Sequence, residues 1–247
     1  MNERDIVLEA KKIEKRFGGL KAIDDFSLHL YKGEILGLIG PNGAGKTTMF
    51  NIIAGSFPAT LGEIYVDGKL VNKPQSHQMA RMGVARTYQI VRPFSNLTVL
   101  ENTMVGAFLN TGNTETARRK AREILAILKL EGKADIRGKD LTLIDLKRME
   151  VARALATEPR ILLLDEVIAG LNPTGRDMVI EMISGIRETM GVSIIIIEHV
   201  MKAVMKLCDR IYVLNQGKLI AEGAPLEISS NEAVIQSYLG VKKHAEN

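Results

Sequence analysis

Eight consecutive residues, Gly40, Pro41, Asn42, Gly43, Ala44, Gly45, Lys46 and Thr47, fit the phosphate-binding spacing G-x-x-x-x-G-K-[ST]. Glycines let the backbone curl so that successive N–H groups turn inward on anionic oxygens. A loop of this kind that opens a helix adds the unpaired donors and dipole of the helix N-terminus. Lys46 is a mobile point charge for the β- and γ-phosphates of a nucleoside triphosphate. The Thr47 hydroxyl is a hard oxygen ligand suited to Mg²⁺, and Thr48 completes the set of nucleotide-contacting residues.

Asp165 and Glu166 follow the wholly apolar run 161–164, which reads as a strand covered on both faces. Ligands of parallel α/β sheets bind at the carboxyl edge of the strands, where these two acids would lie. Asp165 is placed to bind Mg²⁺, directly or through water. Glu166 is placed to polarise a water that attacks the γ-phosphate. His199 follows a similar apolar run, 192–197, and Glu198. A lone histidine is usually structural or exposed, but a place one strand beyond the acids makes His199 a candidate γ-phosphate contact. Gln89, in the stretch Thr87, Tyr88, Gln89, Ile90, reads by itself as a polar loop residue.

The elements that must position these groups are legible as patterns. Residues 34–39 read as a short buried strand, and 46–54 as a helix ended by Gly55. Ile6 and Leu8, then Phe26, Leu28 and Leu30, alternate as strands do. Asp67 and Gly68 lie between apolar runs, a hairpin signal, and 210–222 reads as a second hairpin turning at Asn215, Gln216 and Gly217. Residues 95–157 are helix-rich. The stretch 174–190 reads as a helix joining two buried strands, and 225–239 as mostly helical, followed from Lys242 by a polar tail. Met178 with Met182, and Met201 with Met205, have helical spacing and read as core filling.

The 247 residues, 46 % apolar and 25 % charged, suffice for one large domain or a domain with an inserted subdomain. A net charge of +4 gives little electrostatic support to a nucleic-acid role. Arg118, Arg119, Lys120 and Arg122 sit opposite Ala117, Ala121, Ile124, Leu125 and Leu128 on a predicted helix, so they read as a solvated stripe. The one cysteine, Cys208, excludes an internal disulfide and reads as a small core residue. No secretory apolar region and no membrane-length run is present, so a cytosolic protein is expected, touching a membrane only through a partner.

The order of these pieces, from the phosphate loop through Gln89, Asp165 and Glu166 to His199, resembles the nucleotide-binding subunit of an ATP-binding cassette (ABC) transporter over nearly the full length. Phe17 matches the aromatic on which adenine stacks in that family, or is an ordinary core residue. Ala169, Gly170, Leu171, Asn172 and Pro173 match the D-loop, with Asn172 where many members have Asp. Residues 97–102, 153–155, 208–213 and 221–223, and the ending Tyr238, Leu239, Gly240, are similar to the branched-chain amino acid (Liv-type) branch; the lipopolysaccharide-export ATPase is a similar relative. The resemblance implies an α/β fold: a P-loop NTPase (RecA-like) core, an N-terminal antiparallel β subdomain and an inserted helical subdomain. It implies one domain, 1–247, with 1–88 and 158–247 as core and β subdomain and 89–157 as helical subdomain. ATP and Mg²⁺ are the implied ligands, with Thr47, Gln89 and Asp165 at the metal and Glu166, His199 and Gln89 as catalytic residues. The implied partners are a second cassette, transmembrane permease subunits on the cytoplasmic face of the inner membrane and, indirectly, a solute-binding protein; no nucleic acid is implied. Phe94, Leu97 and Val99 would line a groove for a permease helix, or pack within the helical subdomain.

The family's L-S-G-G-Q loop, which contacts the partner subunit's ATP, reads here Leu141, Thr142, Leu143, Ile144, Asp145. Ile144 in place of glycine hinders close backbone approach to phosphate. Asp145 would repel phosphate if it faced the ligand, by about 4 kcal/mol at 4 Å and an effective dielectric near 20. Thr142 and Asp145 also read as a variant capping box, the preferred interpretation. Val167 replaces the usual Pro, and Val200 the usual Asp; the sequence offers no physical account of either. A heterodimer with a cassette whose own loop is intact is therefore favoured over a homodimer. A non-hydrolysing regulatory subunit is the alternative. A DNA-repair or translation ATPase would need a coiled-coil insertion, a second cassette or a basic face, and the chain has none.

Overall fold

The computed structural model describes residues 5–89 and 92–239, apart from the Leu239 side chain; Ile90, Gly240 and the tail expected from Lys242 lie outside that range. In chain order the elements are β1 (Ile6–Phe17), β2 (Leu20–Tyr31), β3 (Ile35–Ile39), α1 (Lys46–Ile53), β4 (Leu61–Val66), β5 (Lys69–Leu70), α2 (Ser76–Arg81) and β6 (Val84–Arg86). Then follow α3 (Val99–Ala107), α4 (Thr114–Ile127), α5 (Leu143–Leu155), β7 (Ile161–Asp165), α6 (Pro173–Met190), β8 (Ser193–Ile197) and α7 (Met201–Leu207). The chain closes with β9 (Arg210–Asn215), β10 (Lys218–Gly223), α8 (Pro225–Ser230) and α9 (Glu232–Leu239).

Two sheets form. The antiparallel one runs β2-β1-β4-β5, and the larger runs β10-β9-β3-β8-β7-β6. In the larger sheet β9, β3, β8, β7 and β6 pair in parallel, and only β10 is antiparallel. The apolar runs explain this placement. Every residue of β3, β7 and β8 is buried. Side chains alternate between faces, so Leu162, Leu164, Ile194 and Ile196 join one core while Leu163, Ile195 and Ile197 join the other. The first core includes α3, α4 and α5; the second joins α1 to the antiparallel sheet.

Local chemistry sets the helix ends. Thr98 and Glu101 close a reciprocal capping box on α3, and Asn172 caps α6 ahead of Pro173. Both expected hairpins form, at Asp67–Gly68 and at Asn215–Gly217. Cys208 is buried as expected. Met178 corrects the reading of the methionines as core filling: it is exposed, and Met182 only packs against the core edge. Val99 lies in the core of the helical layer rather than in a groove, whereas Phe94 is exposed. No helix among the described residues is long and apolar enough to cross a membrane.

Candidate functional site

The phosphate loop bridges β3 and α1, and its glycines answer specific constraints. Gly40 has φ +147°, and a Cβ there would sit 1.9 Å from the Leu214 carbonyl oxygen. Gly45, at φ +106°, would meet the Ala22 carbonyl at 2.7 Å. Only glycine satisfies both the dihedral and the space. Lys46 is buried and arches back so that Nζ donates to the Gly40 carbonyl at 2.7 Å and the Pro41 carbonyl at 2.9 Å. Burial lowers its pKa, opposed by the nearby Glu166 and Asp165 carboxylates. The ammonium is thus a partly desolvated cation whose remaining attraction is for anions.

Asn42, Gly43, Ala44, Gly45, Lys46, Thr47 and Thr48 line a cleft of about 910 Å³. Its far wall is Gln89, Glu166 and His199, and Phe17 stands at its rim. Phe17 is 48 % exposed, edge-on to Phe57 at 5.6 Å, so it is no ordinary core residue. The three residues of the far wall come from three strand ends of the parallel sheet. Glu166 Oε1 lies 2.6 Å from His199 Nε2, and Gln89 Nε2 donates to Glu166 Oε2 at 2.8 Å. Residues 110 positions apart in sequence therefore meet on one carboxylate.

Asp165 ends β7 one residue before Glu166 and lines an adjoining groove with Thr47 and Gln89. Its Oδ2 accepts from Arg86 at 2.8 Å, while Oδ1 is buried without a hydrogen-bond partner. Burial raises its pKa against the pull of Arg86. A buried carboxylate oxygen with no partner is costly unless a cation takes it. One carboxylate beside a hydroxyl and an amide also suits Mg²⁺, which keeps most of its ligands as water and phosphate oxygen. The residues present therefore fit the metal.

The loop of residues 141–145 is separate from this cleft. Thr142, Leu143 and Ile144 line a 450 Å³ hollow with Gly170, Leu171 and Asn172. Thr142 caps α5, its Oγ1 accepting from the Asp145 N–H at 3.4 Å. Asp145 is buried; its Oδ2 lies 2.5 Å from both Lys133 Nζ and Thr142 Oγ1. Although burial opposes it, those two bonds lower the Asp145 pKa. The carboxylate thus turns inward to a lysine, which answers the repulsion feared from its sequence position.

Several residues at the site escaped the sequence reading. Arg86 ends a strand of three residues, too short for any periodicity. Lys147 and Glu150 lie within the helix-rich stretch 95–157, and both are buried. Lys147 Nζ donates to the Glu166 carbonyl at 2.9 Å, and Glu150 Oε1 accepts from the Tyr88 N–H at 2.9 Å. Glu198 holds the Ile168 N–H at 2.8 Å, and burial pushes its pKa up to about 7. Only a count of charged residues inside otherwise apolar surroundings would have flagged them.

A phosphate loop opening a helix at the carboxyl edge of a parallel sheet, with two acids at the end of β7 across the intervening β8, defines a P-loop nucleoside triphosphatase. Comparison with known proteins narrows the class. The family model described as ABC transporter matches residues 23–169, and that described as branched-chain amino acid ATP-binding cassette transporter matches 218–244. The high-affinity branched-chain amino acid transport ATP-binding protein LivG of Escherichia coli K12 is 42 % identical over 249 residues, covering 95 % of this chain and 98 % of the relative. The lipopolysaccharide export system ATP-binding protein LptB of the same organism is 35 % identical, covering 94 % and 97 %. A crystal structure of the ADP conformation of an ATP-binding cassette of an ABC transporter superposes with a TM-score of 0.87 at 30 % identity, covering 95 % of this chain and 99 % of that one. The chain belongs to the ABC transporter family, as its ATP-binding, ATP-hydrolysing subunit. The dimeric structure of a bacterial ABC transporter cassette also superposes, with a TM-score of 0.79 at 26 % identity, covering 88 % of this chain and 98 % of that one.

Proposed function

We propose that this cassette energises import of branched-chain or similar amino acids, with Glu166 as the general base of ATP hydrolysis. The observation that carries the catalytic assignment is the meeting of Gln89 and His199 on the two oxygens of Glu166, opposite Lys46. Residues 40–48 hold the triphosphate through backbone N–H groups and Lys46, and Phe17 stacks on the base. Thr47, Asp165 and Gln89 would hold Mg²⁺, which supplies charge neutralisation on the phosphates when bound. Glu166 takes the proton of the attacking water, and His199 fixes the carboxylate and reaches the γ-phosphate. Gln89 links that carboxylate to the groove of Phe94 and Arg153, where a permease helix seats.

Residues 89–157 act as the helical subdomain on a core formed by 1–88 and 158–247. Transport of branched-chain amino acids is what the name of LivG describes, and the match at 218–244 points the same way. The subunit sits on the cytoplasmic face of the inner membrane and answers to a solute-binding protein through the permease. Ile144 and the inward-turned Asp145 leave a poor surface for a partner's phosphates. A heterodimer with a cassette of intact signature loop is therefore favoured. The test is phosphate release by the complete transporter in vesicles, with each cassette's catalytic glutamate changed to glutamine separately. Leucine-dependent turnover that falls unequally in the two variants supports the assignment. Equal losses contradict the asymmetry, and turnover indifferent to amino acids contradicts the substrate class.

A further inference from the structure

The helix that starts at the degenerate signature loop also grips the catalytic pair of its own subunit. Lys147 and Glu150 are one turn apart on α5 and share a face. Lys147 Nζ donates to the main-chain carbonyl of Glu166, and Glu150 Oε1 accepts from the main-chain N–H of Tyr88, next to Gln89. The two ends of the Gln89–Glu166 hydrogen bond are therefore both tethered to α5. Neither tether is a surface contact: Lys147 and Glu150 are 5 % and 3 % exposed.

The backbone at Glu166 needs holding. Its φ is +51°, a left-handed conformation that costs a non-glycine residue energy and persists only where its surroundings fix it. Four bonds fix it here. The Glu166 N–H donates to the Ile197 carbonyl at 2.9 Å, the Glu166 carbonyl accepts from Lys147 at 2.9 Å and, within the turn, from the Ala169 N–H at 3.2 Å, and the Ile168 N–H donates to Glu198. Two of these come from the neighbouring strand β8 and the residue after it. Lys147 is the one that comes from the helical layer.

We infer that Lys147 and Glu150 are positioning residues through which α5 couples the signature loop to hydrolysis in the same subunit. Thr142 caps α5, and Asp145 with Lys133 anchors its first turn. Any shift of that turn when the loop meets the partner's nucleotide moves Lys147, two residues further along the helix. The Glu166 carbonyl follows, and with it the carboxylate that must meet the attacking water. Misplacement of about 1 Å at such a group can cost about 10²-fold in rate. The coupling rests on the assignment of Glu166 as general base.

The experiment compares wild type with Lys147→Met, Lys147→Arg, Glu150→Gln and Glu166→Gln in the complete purified transporter. ATP affinity and kcat are measured for each, with thermal melting as the control for folding. For Lys147→Met, kcat falls about 10-fold or more while ATP affinity changes by less than about threefold. Lys147→Arg, which keeps a donor, restores most of kcat. Glu150→Gln keeps an acceptor for Tyr88 and loses less kcat than Lys147→Met; a loss as large as that of Lys147→Met, with a lowered melting temperature, counts against its tether. Wild-type kcat in Lys147→Met, with Glu166→Gln inactive, overturns the inference alone. Parallel loss of kcat, affinity and melting temperature without arginine rescue does so too, since that pattern marks a purely structural lysine. Turnover that survives in Glu166→Gln overturns the base assignment and the inference together.

Discussion

Glu198→Gln should stabilise the protein at alkaline pH and much less at acidic pH. Glu198 is 1 % exposed; one oxygen accepts from Ile168 and the other, Oε2, has no hydrogen-bond partner. Burial raises its pKa from 4.5 to about 7, opposed by the Ile168 N–H bond and by the Lys147 charge. A folded-state value above the unfolded one means the native protein holds a proton that the unfolded chain releases. Stability is therefore full below the unfolded value, falls as pH rises through the interval, and levels off above the folded value. Two and a half pH units at 1.36 kcal/mol each give roughly 3 kcal/mol in total. Glutamine resembles the protonated acid: it keeps an acceptor for Ile168 and does not titrate. The stability gap between variant and wild type should widen by roughly 2.5 kcal/mol from pH 5 to pH 8. Urea unfolding of both proteins at the two pH values, compared at fixed slope, measures it directly. A gap that stays constant, or narrows towards pH 8, would refute the claim that a buried, partly unsatisfied carboxyl sits behind Glu166.

Two further outcomes follow from the ion pairs that hold the buried Asp165 and Asp145 carboxylates. Arg86→Met leaves Asp165 buried without its cation and should cost about 3–5 kcal/mol, part of which Mg-ATP restores by binding the native state. Melting curves with and without Mg-ATP check this, and an unchanged melting temperature contradicts it. Lys133→Met strands Asp145 and should cost about 2 kcal/mol, discounted because the lysine side chain is 43 % exposed, whereas Asp145→Asn should cost nearer 1. The depressed Asp145 pKa makes the Lys133 contribution present above the ordinary value of 3.8 and lost as pH falls below it, so acid unfolding of the two variants should converge.

The sequence made the phosphate loop, the two strand-end acids and most of the central sheet readable, because each rests on short-range pattern. A run such as 161–164 is apolar for one reason, burial on both faces, and the acids that follow it have to emerge at the sheet edge. His199 was legible as a candidate from its place after a second apolar run and Gln89 only through resemblance, while their meeting on Glu166 depends on the order of strands in the sheet. Lys147, Glu150 and Glu198 were illegible because pattern reasoning assigns charges to solvent, and here tertiary packing encloses them. Arg86 was hidden by the brevity of its strand, and the inward turn of Asp145 by a lysine twelve residues away. The functional residues that sequence missed are the ones whose partners are distant in the chain.

The central claim is that residues 40–48 hold the triphosphate while Glu166 activates the water that cleaves it. Phosphate release and ATP binding, measured side by side on wild type and Glu166→Gln in the assembled complex, test it most directly. Turnover should drop roughly 10²–10⁴-fold while ATP affinity stays within about threefold. Comparable turnover in the two proteins, or loss of ATP binding with the single amide substitution, would contradict it.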